Sequence, residues 1–255
     1  MHKAYVLLSG GVDSTTALFK AHAKHGDDIM AMSVDYGQRH FKETEHALKS
    51  CDALGIQYKI IDAKSMMPKT MLTDVESNIP NVSYADLPIG ISPTYVPFRN
   101  GLMLSIAAAF IQAQIQYAQA ASEEAFRQNV QDPYIELWGD APGRIREGME
   151  IELYYGAHAE DSANWAYPDC APEFNGAMAN AIYQGSYRNI RLQTPLQWME
   201  KHEVVSLGTK LGVNWADTWS CYKGEQVHCG TCPTCIARKE AFELAGVSDP
   251  TEYAA

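Results

Sequence analysis

The Ser-Gly-Gly-Val-Asp-Ser run at residues 9–14 constrains the fold of this chain more than any other feature of its sequence. It follows an apolar run at residues 4–8, which predicts a buried strand, and precedes a segment where Ala17, Leu18 and Ala21 recur at helical spacing. A strand, a glycine turn and a helix in that order are typical of the first unit of a doubly wound sheet. We therefore predict an α/β fold on a doubly wound, mostly parallel sheet.

The turn has the composition of a phosphate-binding loop. Backbone N–H groups and the positive end of the helix dipole converge there, and the two glycines let the chain approach an anion closely. Ser9 and Ser14 add hydroxyl donors, while Asp13 either holds the loop in shape or helps to bind Mg²⁺ with a nucleotide. The Walker pattern is excluded because no Gly-Lys-[Ser/Thr] follows, and an ordinary strand–helix turn is the alternative. The predicted ATP-binding residues are Leu8, Ser9, Gly10, Gly11, Val12, Asp13, Ser14, Thr15, Thr16, Ala17, Leu18 and Asp35.

Asp35 belongs to that set on weaker grounds. It follows the second predicted strand, where ligands bind in open α/β folds, but a solvated turn residue would occupy the same position.

Hydrophobic periodicity predicts the other elements. Gly55 and Gly212 are placed to end two helices, and residues 64–97 have little periodicity and many prolines, which is typical of a long functional loop. A polar stretch at residues 122–150 indicates an insertion, part helix and part loop. The predicted strands are 29–34, 58–62, 151–156 and 190–192, and the predicted helices are 42–54, 98–121, 201–211 and 235–245.

Charge and hydropathy argue against two classes of protein. The formal net charge of −11 disfavours a protein that holds nucleic-acid phosphates by non-specific charge. No apolar run approaches the roughly 18–20 residues that cross a bilayer, and no secretory signal is recognisable. We expect a cytoplasmic protein.

A cluster of cysteines near residue 230 indicates a metal site. Two interlocking CxxC steps place sulfur atoms on the edges of one tetrahedron, and four thiolates leave no open position, so the predicted Zn²⁺ is structural. A catalytic disulfide pair and a nucleic-acid-binding zinc ribbon are the alternatives, and His228 is a poor ligand because it adjoins the first CxxC cysteine. We predict an ATP-binding domain at residues 1–215 and a zinc-binding subdomain at 216–255. The predicted ligands are Cys221, Cys229, Cys232 and Cys235.

Taken together, these motifs resemble the 7-cyano-7-deazaguanine synthase (QueC) family of the PP-loop ATP pyrophosphatase superfamily, with its adenine nucleotide alpha hydrolase-like fold. The resemblance covers the whole chain except residues 122–150. This sequence departs from the family at His158, where asparagine is usual, and at Ala171, where arginine is common. The matching stretches are 8–16, 35–40, 95–100, 159–161, 167–170, 219–222 and 229–235.

The resemblance implies that ATP activates 7-carboxy-7-deazaguanine by adenylation and that ammonia converts it to the nitrile. Ammonia would arrive free or from a partner, the protein would be a homodimer, and no nucleic acid would bind. The implied catalytic residues are Ser9, Asp13, Ser14, Arg99 and Lys201, and the implied substrate contacts are Arg99, Asn100, Glu160, Asp161, Tyr167 and Asp169.

Each implied role has a plainer alternative. Lys201 could be a solvated lysine and Arg99 a structural salt-bridge partner, while the carboxylates could cap helices and Tyr167 could simply pack. Cys170 is either a nucleophile or a buried thiol, and Cys51 is a core residue. Two other enzymes would share these motifs: a relative that stops at the amide or transfers the deazapurine to another acceptor, and a tRNA-thiolating enzyme.

Overall fold

The computed structural model describes residues 2–38, 42–67, 69–74, 76–84, 86, 90–127 and 150–254, and for residues 119, 121–127 and 163–165 it describes the backbone alone. Residues 39–40 of the motif at 35–40 and most of the predicted insertion at 122–150 lie outside the described residues.

The core of the protein is a five-stranded sheet in which every strand pair is parallel, in the order β3-β2-β1-β4-β5. β1 lies at the centre and is buried along its whole length, as its apolar sequence predicts. The order reverses at β1, which is the topological switch point of a doubly wound sheet. The predicted fold class is therefore confirmed. The strands are β1 (Ala4–Leu7), β2 (Ile29–Asp35), β3 (Gln57–Asp62), β4 (Ile151–Tyr154) and β5 (Ile190–Gln193).

Six α-helices lie in the described part of the chain. The predicted bounds of α2 and α5 coincide with those observed, and Gly212 ends α5 in the left-handed conformation. α6 begins two residues earlier than predicted because Pro233 fits the first turn of a helix. The helices are α1 (Val12–His25), α2 (Lys42–Leu54), α3 (Arg99–Arg127), α4 (Pro172–Gly185), α5 (Lys201–Leu211) and α6 (Pro233–Ala245).

Helices cover both faces of the sheet. Leu104 and Ile111 of α3 and Ile182 of α4 pack in the core on one face. Leu18 of α1 and Cys51 of α2 pack on the other face, where Cys51 is fully buried as expected. This two-sided burial leaves the carboxyl ends of the strands as the open edge where a site can form.

The C-terminal segment shares its apolar core with the rest of the protein. Val12 of α1, Val204 of α5 and Phe242 of α6 belong to one buried cluster with Trp215. The predicted domain boundary between residues 215 and 216 therefore crosses a continuous core, and it remains a prediction.

One helix, α3, is both long and apolar. Residues Arg99–Ala118 of α3 have a mean hydropathy of 1.2 and, by length and composition alone, could cross a membrane. Length and composition are weak indications, because a core helix passes the same test, and the residues of α3 that point to the sheet are buried in the core.

Candidate active site

A cavity of about 570 Å³ opens at the carboxyl ends of β1, β2 and β4. This is a typical size for a small-molecule site. The phosphate loop forms one wall, and the first turns of α2, α3 and α5 form others. The segment that leads into the cysteine cluster closes the cavity with Trp219 and Tyr222. One cavity thus brings together the two motifs that the sequence singled out.

The phosphate loop is held open by its own serines. Ser9 Oγ and Ser14 Oγ lie 2.9 Å apart, and Ser14 Oγ also accepts from the Ser9 backbone N–H at 3.1 Å. Gly11 is the N-cap of α1 and offers no capping side chain, so the first N–H groups of the helix have no intrahelical partner. These donors at the positive end of the α1 dipole form an anion-binding site.

Glycine is required at Gly10 and Gly156 by close backbone contacts. Gly10 has φ +85°, and a Cβ there would lie 2.3 Å from the backbone oxygen of Glu43 in α2. A Cβ on Gly156 would lie 2.9 Å from the backbone nitrogen of Ser14. The loop is therefore fitted between α2 and the chain that follows β4.

Lys201, at the first position of α5, reaches the phosphate loop. Its Nζ donates to Asp13 Oδ2 at 2.5 Å and lies 3.3 Å from His158 Nε2. His158 Nε2 in turn lies 3.2 Å from Asp161 Oδ1. Asp13 Oδ1 is buried, and no described residue donates to it. It is left as an acceptor for a cation or for a donor on a ligand.

The charges in this cluster are mutually dependent. Burial is the largest effect on the pKa of His158 and lowers it, but the negative charges of Asp161 and Asp13 and the hydrogen bond to Asp161 together outweigh burial, and the net effect is a raised pKa. Burial by itself would raise the pKa of Asp161, yet the positive charge of His158 and its hydrogen bond lower it to about 2. An arriving phosphate would therefore meet Lys201 and, in its protonated form, His158 beside the helix N-terminus.

Arg99, at the start of α3, supplies a further positive charge. Its NH1 donates to the Tyr36 hydroxyl at 3.4 Å, and its guanidinium carbon lies 5.8 Å from the centre of the Tyr36 ring. Burial lowers the pKa of Arg99, but the neighbouring tyrosine hydroxyls reverse this effect and raise it above its ordinary value. The structure therefore gives Arg99 no ion pair within the described residues, which departs from the salt-bridge alternative.

Glu43, in the first turn of α2, faces the same part of the cavity. Burial raises the pKa of its carboxyl to about 7, and the positive charge of Arg99 offsets only part of that effect. No residue that the structure describes donates a hydrogen bond to this carboxylate.

Tyrosine side chains also line the cavity. The hydroxyls of Tyr84 and Tyr222 lie 3.1 Å apart. Tyr167 donates or accepts at 2.5 Å with Thr94 Oγ1, and its ring meets that of Tyr84 edge to face at 6.0 Å. Rings fixed in this way form a flat-sided, amphipathic wall suited to a planar heterocycle.

Two predicted site residues make structural contacts outside the cavity. Asp35 accepts from the Gly37 backbone N–H at 3.0 Å and pairs with Lys64 at 2.8 Å, and it does not line the cavity. Asp169 Oδ2 accepts from the backbone N–H of Asn100 at 3.0 Å, the helix-cap alternative, and also lies outside the cavity wall.

Some of the other predicted residues line the cavity, and some support it from behind. Glu160 Oε1 accepts from the Lys201 backbone N–H at 2.8 Å and still lines the cavity. Behind the phosphate loop, the α1 residues Thr15, Thr16, Ala17 and Leu18 are fully buried and hold the loop without reaching the cavity. Leu8, Ser9, Gly11, Val12, Asp13 and Ser14 do line it.

Cys170 has the environment of a buried thiol. Asn100 Nδ2 lies 3.1 Å from its sulfur and the Tyr155 hydroxyl lies 3.7 Å away. Burial raises its pKa well above the ordinary value, so little thiolate forms near neutral pH. The thiol interpretation is favoured over the nucleophile.

The four predicted metal ligands form one compact group. Cys221, Cys229, Cys232 and Cys235 are buried, and their sulfur atoms all lie within 4.8 Å of one another. The Cys229 and Cys235 sulfurs are 3.9 Å apart, close to the edge of about 3.8 Å that Zn–S bonds of about 2.3 Å give a tetrahedron. A cluster of four fits a closed metal site better than a catalytic pair.

Backbone N–H groups are aimed at these sulfurs. The Cys229 N–H lies 3.4 Å from the Cys221 sulfur, and the Cys232 N–H lies 3.3 Å from the Cys229 sulfur. Such donors stabilise thiolate charge around a metal. His228 is not a ligand, because its Nε2 accepts from the Ser220 backbone N–H at 3.0 Å. The residues present therefore fit a four-cysteine metal centre.

Four residues that line the cavity had no predicted role. Glu43, Trp219 and Tyr222 reach it only through long-range packing, and His158 was noted only as a departure from the family pattern. The one local signal was position, since Trp219 and Tyr222 flank the first cysteine of the cluster.

Comparison with known proteins places the chain within one family. The profile described as Queuosine biosynthesis protein QueC matches residues 3–122 and 146–246, and the unmatched gap falls inside the predicted insertion. The 7-cyano-7-deazaguanine synthase of Caldicellulosiruptor bescii is 39% identical over 253 residues, which cover 98% of this chain and 97% of that protein. The synthase of Methanoregula boonei is 35% identical over 98% of this chain and 99% of its own length.

Proposed function

This chain belongs to the QueC family of queuosine biosynthesis proteins, and we propose that it is an ATP-dependent ligase that converts 7-carboxy-7-deazaguanine and ammonia to 7-cyano-7-deazaguanine. The observation that carries the proposal is the contact between Lys201 Nζ and Asp13. This contact places the lysine ammonium group beside the anion-binding N-terminus of α1. A site of this kind suits the phosphates of ATP.

The reaction requires activation because a carboxylate is a poor electrophile. Attack of the carboxylate on the α-phosphorus of ATP would release pyrophosphate and form an acyl-adenylate. Ammonia would displace AMP to give an amide, and a second activation would remove the amide oxygen as the nitrile forms. Holding carboxylate and phosphate in line supplies much of the rate in such reactions.

Three residues would stabilise the negative charge of the phosphates and of the substrate carboxylate. Lys201 would leave Asp13 for the phosphate oxygens, and Arg99 would face the substrate carboxylate from the opposite wall. Asp13 Oδ1, buried without a donor, would hold the Mg²⁺ that accompanies the nucleotide. Ser9 and Ser14 would fix the loop and donate to the terminal phosphates.

The heterocycle would lie against the tyrosine wall. Tyr167 would stack on it, while Asp161 and Glu160 would accept from its amino and ring N–H groups. Asn100 and Asp169 would act indirectly, because their hydrogen bonds fix the start of α3 and hence Arg99. Zn²⁺ on the four cysteines would be structural, since four thiolates close its shell.

Product mass analysis tests this function. Purified protein is incubated with the carboxylate, ATP and ammonium, and Asp13→Ala serves as the inactive control. We expect the nitrile from the wild type and no product from the variant. Accumulation of the amide would favour the enzyme that stops earlier, and absence of any product from folded, metal-loaded protein would reject the proposal.

A further inference from the structure

The use of ammonia by this site poses a chemical problem. In water near neutral pH it is almost entirely ammonium, which has no lone pair and cannot attack a carbonyl carbon. A cavity that accepts it needs an anion to bind the cation and a base to take one proton. Lys201 and Arg99 are cations, and the backbone of the phosphate loop offers donors. The carboxylate of Asp13 is already paired with Lys201, and that of Asp161 with His158.

Glu43 has the required position. Glu43 lines the cavity, and its backbone oxygen packs against Gly10 of the phosphate loop. Its carboxylate is close enough to Arg99 and Tyr36 to interact with both electrostatically. Among the described residues, Arg99 is the one cation that faces it, and no hydrogen bond donor reaches it. An anion enclosed in a cavity without a donor is costly, which is typical of a group kept for a ligand.

The surroundings of Glu43 also suit a small cation. The Tyr36 ring lies beside it and feels its charge, and Tyr222 lines the same cavity. The faces of tyrosine rings attract ammonium groups. Two such rings and a carboxylate therefore form a site suited to a small organic or ammonium cation. The pKa of this carboxyl is about 7. Near physiological pH the ionised carboxylate can therefore bind ammonium, and it can also accept a proton from it.

We propose that Glu43 binds ammonium and takes one of its protons, so that neutral ammonia attacks the activated substrate. The proposal rests on the proposed function and adds a catalytic residue to it. The nitrogen lone pair forms the C–N bond, the C–O bond to AMP breaks, and its electron pair leaves on the AMP phosphate. The nitrogen then loses its extra proton to water, and Glu43 returns the first proton to water.

The test separates amine transfer from adenylation. Glu43→Gln keeps the shape of the side chain and removes the base, Glu43→Asp keeps a carboxylate, and Glu45→Gln changes an exposed residue of the same helix. Carboxylate-dependent exchange of pyrophosphate into ATP, without ammonium, reports adenylation alone. Amide and nitrile formation with ammonium reports both steps.

We expect Glu43→Gln to exchange pyrophosphate like the wild type and to lose about 10²–10⁴-fold in the ammonium-dependent rate, the range for a missing general base. Hydroxylamine, which is largely unprotonated at neutral pH, should restore the variant by forming the hydroxamate. The wild-type rate with ammonium should rise as the pH passes through about 7, where Glu43 ionises. The pH–rate profile of Glu43→Gln should lack this rise. Glu43→Asp should keep part of the rate, and Glu45→Gln all of it.

Two results would overturn the inference while the proposed function stands. One is equal loss of exchange and amination in Glu43→Gln, which would make Glu43 a support for the phosphate loop or Arg99. The other is a wild-type ammonium rate and pH profile in that variant. Absence of exchange in the wild type would instead reject the proposed function, and the inference with it.

Discussion

The backbone N–H of Trp219 donates to the carbonyl oxygen of Gly10 at 2.8 Å, which joins the cysteine cluster directly to the phosphate loop. Trp219 lies two residues before Cys221, and its indole N–H also donates to the Cys221 carbonyl oxygen at 3.0 Å. A closed metal site that performs no chemistry would therefore still set the position of the loop that we propose binds ATP.

Metal removal should therefore weaken nucleotide binding as well as the fold. Cys229→Ser should lower the melting temperature, and loss of the Trp219 contact, worth about 1 kcal/mol, should raise the Kd for ATP about fivefold. Calorimetric titration with ATP at a temperature where the variant is folded measures the effect. Cys51→Ser, in the core but far from the cluster, is the control for a general loss of stability. Unchanged ATP affinity in the metal-free variant would contradict the coupling.

Replacement of Lys201 should affect the chemical step. Lys201→Met removes the charge beside Asp13 and should lower kcat about 10²–10³-fold, as loss of one preorganised donor typically does. The matched control is Lys210→Met, because Lys210 is exposed at the far end of the same helix. Single-turnover kinetics of pyrophosphate release measures the step. A change confined to the KM for ATP would show that Lys201 only binds.

Gly10→Ala should disrupt the loop by contact as well as by backbone strain. A left-handed conformation costs a non-glycine residue about 1–2 kcal/mol, and the new Cβ would also clash with the Glu43 backbone oxygen. Gly26→Ala shares the positive φ, +59°, but meets nothing within 4 Å. Urea unfolding of both variants should give a larger loss for Gly10→Ala, and only that variant should lose ATP binding. Equal losses would mean that the contact with α2 is unimportant.

Arg238 should be the most important charged residue for stability in the C-terminal segment. It is 1% exposed, and it donates to both oxygens of Asp249, to Thr218 and to the Trp215 carbonyl oxygen. Arg238→Met would leave the Asp249 carboxylate without its partner, at a cost of about 3–5 kcal/mol. Arg191→Met, which breaks the exposed pair with Glu150, should change the free energy of unfolding little. Similar effects of the two substitutions would refute the assignment.

Glu43 gives the stability of the protein a distinctive dependence on pH. Burial raises its pKa in the folded protein from 4.5 to about 7, so its ionisation is unfavourable in the fold. The penalty is absent below pH 4.5, grows as the pH rises between the two values, and is complete above about 7. Glu43→Gln should therefore melt at a higher temperature than the wild type at pH 8 and at the same temperature at pH 4. A lower melting temperature at pH 8 would indicate that Glu43 is a structural anion.

The local parts of this structure could be predicted and the long-range parts could not. The phosphate loop, the bounds of α2 and the end of α5 at Gly212 depend on short motifs and terminating glycines. The helix α4 escaped prediction because Asn175, Gly176 and other weak helix formers obscure its periodicity.

Among the site residues, too, those marked by local sequence patterns could be predicted and those placed by long-range contacts could not. Lys201 was predicted to reach an anion site, and its side chain contacts Asp13 of the phosphate loop at the start of α5. Asp169 was expected at the substrate but accepts from the backbone of Asn100, a partner 69 residues away that no local pattern indicates. Glu43 was missed for the same reason, since its role depends on the approach of α2 to Arg99 in α3.

The central claim is that the loop at residues 9–14 presents the α-phosphate of ATP to a carboxylate. Isotope exchange of pyrophosphate into ATP, measured with zinc-loaded protein and without ammonium, tests it most directly. We predict exchange in the presence of 7-carboxy-7-deazaguanine, none without the carboxylate, and none with Asp13→Ala. Failure of the wild-type protein to exchange pyrophosphate when both ATP and the carboxylate are saturating would contradict the claim.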